Sequence, residues 1–205
     1  DVSNEKFKFR DSRRMFVGGV PAIINRISFT GELGYEIYVA PHYQLKLYEE
    51  LMEAGKEFNI KPFGGRALMS MRLEKNWGAW TLDYRPDFTA KETGLDAFIN
   101  WDKEFIGKES AQKENSSNKL VPLIVETNEI DVTNNEAVLN GDQSIGYVTS
   151  GGFAHFVNKS VAFTFVDQKK IKSENKIQVE INGDLFNCSI IKEPLYDPSG
   201  QKMRS

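Results

Sequence analysis

Two glutamates stand close together in Arg26-Ile-Ser-Phe-Thr-Gly-Glu-Leu-Gly-Tyr-Glu-Ile-Tyr-Val39, where Glu32 and Glu36 surround a glycine-punctuated strand entry. From Gly34 to Val39 the residues alternate, with Tyr35, Ile37 and Val39 on one face and Gly34, Glu36 and Tyr38 on the other. The Glu36 carboxylate thus falls between a bare backbone position and an aromatic ring, opposite an apolar stripe. The same alternation also fits a surface strand with Glu36 in water. Cations follow in Gly64-Gly-Arg-Ala-Leu-Met-Ser-Met-Arg-Leu-Glu-Lys75, where Arg66 and Arg72 are too far apart to be stacked neighbours on one helix face. Arg66 shares a face with Leu73 that is expected to look inward, and an inward arginine needs a carboxylate or other anion beside it. Gly64 and Gly65 leave the backbone before Arg66 open to a ligand, whereas Arg72 reads as half of a structural Arg–Glu pair. Trp77-Gly-Ala-Trp80 and Asp83-Tyr84 bring indole rings near a carboxylate, which suits a flat heteroaromatic ligand and equally suits a core. Val148-Thr-Ser-Gly-Gly-Phe153 reads as a glycine-rich loop between strands, with backbone donors for an anion but no following helix to complete a phosphate cradle.

The elements that must position these groups change character along the chain. Met15–Val20 and Ala22–Phe29 read as strands broken by Pro21, and the Glu36 strand ends at Pro41. Leu45, Tyr48, Leu51, Met52 and Phe58 recur at helical spacing between Tyr43 and Phe58. Lys61-Pro-Phe-Gly-Gly65 breaks the chain, and Arg66–Lys75 reads as a second helix. Phe105-Ile-Gly-Lys-Glu109 is a turn into a helix. Residues 111–119 are polar and aperiodic, a linker pattern. Beyond it come short strands at Leu120–Glu126, Ser144–Ser150, Ser160–Val166, Lys176–Ile181 and Leu185–Ile191, with turns at Asn140-Gly-Asp142 and Asn182-Gly-Asp184. The fold class is therefore α+β, with an α/β portion followed by a small antiparallel β-barrel. The expected domains are residues 1–112 and 120–205.

Composition narrows the function classes. A net charge of −3 gives no electrostatic footprint for nucleic acid. Cys188 stands alone, which excludes an intramolecular disulfide and fits a reducing compartment. It sits in an alternating run and reads as a small core residue. No apolar run is long enough to span a bilayer, and His42 and His155 show no metal-ligand spacing with cysteine. Neither membrane nor metal is expected. The chain opens at Asp1 rather than Met, which points to processing or to a segment of a longer protein.

Each motif is weak alone, but their order is specific. Arg-x-Ser-Phe-Thr-Gly-Glu-x-Gly-Tyr-Glu, Gly-x-Arg-Ala-Leu-x-x-x-Arg-Leu-Glu-Lys, Phe-Ile-Gly-Lys-Glu, Gly-Tyr-Val-Thr-Ser-Gly-Gly and Pro-Leu-Tyr-Asp-Pro follow one another between about Met15 and Arg204. In that order they resemble the glycine-cleavage T-protein (aminomethyltransferase) family, above all the folate-binding C-terminal part of dimethylglycine and sarcosine dehydrogenases. The resemblance implies tetrahydrofolate as cofactor and a tetrahydrofolate-dependent one-carbon transferase, with a small methylated amine or sulfonium as donor. It further implies a flavin domain upstream in the same gene if the dehydrogenase reading holds, and a cytoplasmic location, or the mitochondrial matrix in a eukaryote. By the same resemblance Glu36 holds the pterin, whose 2-amino group and ring N–H form a donor pair that a carboxylate accepts bidentately. Arg66 meets a folate or substrate carboxylate, and Glu32, Tyr38 and Trp80 line the cavity.

The family's catalytic aspartate precedes the Thr-Gly-Glu motif, and neither Asp1 nor Asp11 sits in a matching context, so no catalytic residue is assigned and this chain alone is expected to be inactive. Ala90 stands where relatives often carry proline. A non-catalytic folate-binding module is the alternative, as is a scaffold subunit. Relatives supporting iron–sulfur assembly or RNA modification carry Lys-Gly-Cys-x-x-Gly-Gln-Glu, and the nearest segment here, Phe105–Glu109, has neither Cys nor Gln.

Overall fold

Val17-Gly-Gly-Val20 makes the first hairpin in the computed structural model, which describes residues 1–127 and 129–205. Gly18 and Gly19 both take positive φ (56° and 78°), the conformation a two-residue hairpin demands. The hairpin joins β1 (Ser12–Val17) to β2 (Val20–Asn25), and β3 (Glu36–Tyr38) pairs antiparallel with β2. The break expected at Pro21 therefore lies at the glycine pair, and Pro21 sits inside β2 opposite Phe16. Val17 and Val20 close the hairpin, so the missing N–H of Pro21 falls on the side away from β1. There β3 meets only Ile23–Asn25, and no ladder bond is lost.

This sheet belongs to a unit made of Asp1–Arg72 and Asp197–Ser205. Phe7, Ala22 and Ile24 are buried on its inner face, with Met15, Val17, Tyr35, Ile37 and Val39 packed against them. Arg26, almost fully buried, donates to the Phe7 carbonyl (2.5 Å) and fixes the segment that supplies that ring. Helix α1 (Gln44–Ala54) is shorter than its periodicity suggested, with single 3₁₀ turns at Pro41–Tyr43 and Lys56–Phe58. Its only buried residue is Leu47, while Leu45 and Tyr48 face solvent. The packed stripe runs through Leu47 and half-buried Leu51, one helical turn apart. Helix α2 spans Gly65–Glu74.

The second unit, Leu73–Tyr196, is dominated by a closed barrel. Two short helices, α3 (Ala90–Thr93) and α4 (Lys108–Lys113), precede it. Its strands are β4 (Asn118–Val125), β5 (Ala137–Asn140), β6 (Gln143–Ala154), β7 (Lys159–Asp167), β8 (Ile177–Ile181) and β9 (Asp184–Ile190). They pair in the order β4-β7-β6-β5-β8-β9 and close by β9 returning to β4, all antiparallel. Alternation on β4 sends Val121, Leu123 and Val125 into the barrel core. Leu120 and Ile124 point outward onto a second cluster built on Leu73, Val161 and Phe163. The α+β reading with a C-terminal barrel holds.

Two details depart from the sequence reading. β5 was not anticipated, because four residues between turns give too little alternation to read. The aperiodic stretch 111–119 is short as a linker, since α4 continues to Lys113 and β4 begins at Asn118. It is also tied down: Lys91 Nζ donates to the carbonyls of Gln112 (2.8 Å) and Glu114 (2.9 Å), and Lys119 Nζ donates to that of Lys91 (2.5 Å).

Candidate functional site

The loop before β3 is built by its own hydroxyls. Gly31 N–H donates to Ser28 Oγ (3.0 Å) and Glu32 N–H to Thr30 Oγ1 (3.3 Å), while Gly31 takes φ 84°. A Cβ on Gly34 would lie 3.0 Å from the Ile27 carbonyl oxygen. The Ser, Thr and Gly of the motif thus shape the loop, and the strand that leaves it presents Glu36.

Alternation then divides the sheet. Ile37 packs inward, whereas Glu36 and Tyr38 are exposed on the outer face. In register with Tyr38 lies Ile23, and with Ile23 lies Arg14; Glu36 stands opposite Asn25. Arg14, Phe16, Pro21, Ile23, Tyr38 and Ala40 line an open groove of about 510 Å³ on this face. Phe16 is 75% and Tyr38 53% exposed, so the groove floor is an apolar surface turned to solvent. Tyr38 Oη donates to Glu36 Oε2, so the carboxylate is tied to a residue that lines the groove. That bond and the nearby negative charge raise the Tyr38 phenol above its ordinary ionisation range.

The other residues singled out in the sequence are placed differently. Glu32 is half-buried in the loop. Arg66 is the second residue of α2 and is exposed, so the inward face assigned to it is not seen, whereas Arg72 is fully buried. Position along the helix, not phase, accounts for this: Arg72, Leu73, Glu74 and Lys75 are all buried around the C-terminal turn while the first turn is solvated.

Trp80 belongs to the other unit and is 75% exposed. Its loop is pinned from beneath by Asp83, which is fully buried. The Asp83 carboxylate accepts from Ala79 N–H (2.8 Å), Thr149 Oγ1 (2.5 Å) and Ser150 Oγ (2.7 Å). Consecutive residues of a regular strand point to opposite faces. Thr149 and Ser150 can both reach Asp83 because β6 bulges there, its register against β7 slipping between Val148 and Ser150. The expected glycine-rich loop at Val148–Phe153 is therefore continuous strand with a bulge, and its hydroxyls serve Asp83 rather than an anion. The Asp83 carboxylate is engaged by these internal donors, and the Trp80 ring packs edge-on to Tyr84 (5.7 Å). Glu74 and Lys75 are structural too. Glu74 Oε1 accepts from Phe156 N–H (2.6 Å), its carbonyl accepts from Tyr196 N–H (3.0 Å), and the Lys75 ammonium lies 5.7 Å from the Tyr196 ring centre.

Arg14, Phe16 and Ile23 were missed as groove residues. The signal was present: reading Gly18-Gly19 as the turn sets the phase of β1 and β2 and puts all three outward. Among the described residues no cluster of His, Cys, Asp and Glu is placed to hold a metal, and no helix is long and apolar enough to cross a membrane.

Comparison with known proteins agrees with this architecture. Residues 1–103 match the family model described as the GCVT N-terminal domain, and residues 118–197 match the glycine cleavage T-protein C-terminal barrel domain. Mitochondrial dimethylglycine dehydrogenase of Mus musculus is 35% identical over 200 residues, covering 95% of this chain and 23% of the relative. Aminomethyltransferase of Thermoanaerobacter pseudethanolicus is 31% identical over 207 residues, covering 98% of this chain and 55% of the relative. This chain thus spans about half the length of that aminomethyltransferase and about a quarter of the dehydrogenase. The crystal structure of glycine cleavage system aminomethyltransferase T from Bartonella henselae superposes with a TM-score of 0.76 over 86% of this chain and 50% of that one, at 24% identity, which supports the fold. With both family models matching in order, and the first alone taking in half its residues, the chain belongs to the glycine cleavage T-protein family.

Proposed function

We propose that this chain is the folate-holding part of a tetrahydrofolate-dependent one-carbon transferase of the dimethylglycine dehydrogenase or aminomethyltransferase type. The observation that carries the reading is the exposed Glu36 carboxylate, hydrogen-bonded to Tyr38 of a groove that Phe16 and Ile23 also line. A pterin is flat and carries adjacent N–H donors on one edge. Such a ligand matches a carboxylate acceptor beside an apolar floor, because its faces lose water while its donors stay paired. Exposed Arg66 supplies a cation for a folate or substrate carboxylate. Glu32 has the weakest support, being half-buried in its loop.

Tetrahydrofolate supplies the nitrogen that receives the one-carbon unit. The part of this chain is to bind and orient it, and holding two reactants in place is a large share of such catalysis. The donor is a small methylated amine or sulfonium, and a flavin domain in the same polypeptide would generate the electrophile in the dehydrogenase version. Residues 1–112 are read as the C-terminal portion of the folate domain and 120–205 as the barrel domain. A cytoplasmic or mitochondrial-matrix location fits this chemistry.

Titration calorimetry with (6S)-5-formyltetrahydrofolate tests the reading. Binding by the 205-residue chain that weakens about ten- to a hundredfold in Glu36→Gln supports it, since one pterin N–H would then face an amide N–H. Equal affinity, with the fold intact, would remove the assignment.

A further inference from the structure

We propose that Tyr38 is the positioning residue for Glu36: its phenol bonds one carboxylate oxygen and so fixes the carboxylate in the orientation that presents its remaining lone pairs to the N–H donor edge of a flat heterocycle in the groove. The inference rests on Glu36 being the ligand acceptor and adds what holds it in place.

Glu36 and Tyr38 are two apart on one strand and so share a face, roughly 7 Å between Cα atoms. A phenol is long enough to bridge that gap, and Tyr38 Oη donates to Glu36 Oε2. A glutamate on an open sheet face otherwise samples several rotamers, and that freedom is lost whenever a ligand binds. The tyrosine is itself steadied. Ile23 lies directly across from it on β2, both line the groove, and a cross-strand aromatic–aliphatic pair of this kind restrains the ring. The bond uses one lone pair of Oε2. It leaves Oε1 and the second lone pair of Oε2 as acceptors, enough for a bidentate donor pair. The raised phenol ionisation agrees with a donor bonded to a charged acceptor.

The experiment is a double-mutant cycle on the 205-residue chain with Tyr38→Phe, Glu36→Gln and both together, read by affinity for (6S)-5-formyltetrahydrofolate. Ultraviolet titration of the tyrosines accompanies it. Tyr38→Phe keeps the ring and its contact with the sheet, so it tests the hydroxyl alone. The expected result is a loss of about fivefold in the parent and less than about twofold when Glu36 is already Gln, because the hydroxyl then has no carboxylate to orient. The high-pH phenol transition should disappear in Tyr38→Phe and shift down in Glu36→Gln.

An equal loss in both backgrounds would overturn the proposal and leave Glu36 as the acceptor, with Tyr38 only a wall. No loss, or tighter binding by Tyr38→Phe, would also overturn it, the latter showing that the phenol competes for the acceptor. If the parent does not bind, or Glu36→Gln binds as the parent does, the acceptor reading fails and this proposal fails with it, whatever the phenol titration shows.

Discussion

Replacing Asp83 by alanine removes an acceptor on which at least three donors converge, and the cost of losing those three can be worked from the structure. Ala79 N–H, Thr149 Oγ1 and Ser150 Oγ all donate to this carboxylate, and Asp83, Thr149 and Ser150 are buried. Thr149 has an alternative, since its hydroxyl also reaches the Phe163 carbonyl at 3.1 Å. Two donors are then left without a partner, each costing about 1–3 kcal/mol. The expected loss is about 2–6 kcal/mol, a large part of the 5–15 kcal/mol that holds a typical domain. Asp83→Asn retains one oxygen but sets an amide N–H against a donor, so about 1–3 kcal/mol is expected. Guanidinium unfolding followed by tryptophan fluorescence gives both values, with Trp80 inside the pinned loop and Trp77 just before it as reporters. Thr149→Val should be milder than Asp83→Ala, because it removes one donor and leaves the acceptor. A change under about 0.5 kcal/mol for both Asp83 variants would refute the view that this carboxylate clamps the Trp80 loop to the barrel.

Other expectations rest on separate observations. Gly146→Ala should destabilise the barrel by several kcal/mol or abolish folding, since a Cβ there would lie 2.0 Å from the Phe165 carbonyl oxygen on β7; a melting temperature equal to the parent would contradict this. Glu92 closes a capping box with Thr89. Its burial opposes ionisation, but hydrogen bonds from Ser116 and Thr89 outweigh this and lower its folded pKa below the unfolded value of about 4.5. The stability it adds is therefore present above pH 4.5 and lost as the pH falls through the folded pKa; Glu92→Gln should flatten that part of the stability–pH curve, and an unchanged curve would count against it. Burial pushes the Cys188 thiol up to about 12, so about one in ten thousand molecules carries the thiolate at pH 8. Thiol reagents should label it slowly in the native chain and fast in denaturant, and rapid native labelling would show that its strand opens. If the part of this chain is to hold folate, as proposed, the purified chain should show no one-carbon transfer with tetrahydrofolate and dimethylglycine or sarcosine; turnover above background would locate a catalytic residue within these 205 residues.

Much of this molecule was legible in its sequence, for identifiable reasons. Asn182-Gly183 marks a hairpin through two positive φ angles that few residue pairs adopt. The period-two pattern of Gly34–Val39 put Glu36 and Tyr38 on the outer face, where they are found. What escaped reading depends on contacts remote in sequence. Pro21 looked like a break because its tolerance in β2 depends on how short β3 is. Thr149 and Ser150 looked like part of a loop, because a bulge is set by the partner strand and their acceptor lies 66 and 67 residues away. Arg66 is exposed rather than inward because helical periodicity gives relative faces but not which turn is buried.

The most direct test of the central claim is a crystal structure of this chain soaked with (6S)-5-formyltetrahydrofolate at saturating concentration. The account predicts the pterin on the outer face of β2 and β3, its 2-amino group and ring N–H within about 3 Å of the two Glu36 oxygens. It also predicts that Tyr38 stays bonded to Glu36 and that the Ile23 side chain lies beneath the ring. A pterin bound elsewhere on the chain, or a Glu36 carboxylate that remains in water at saturation, would contradict it.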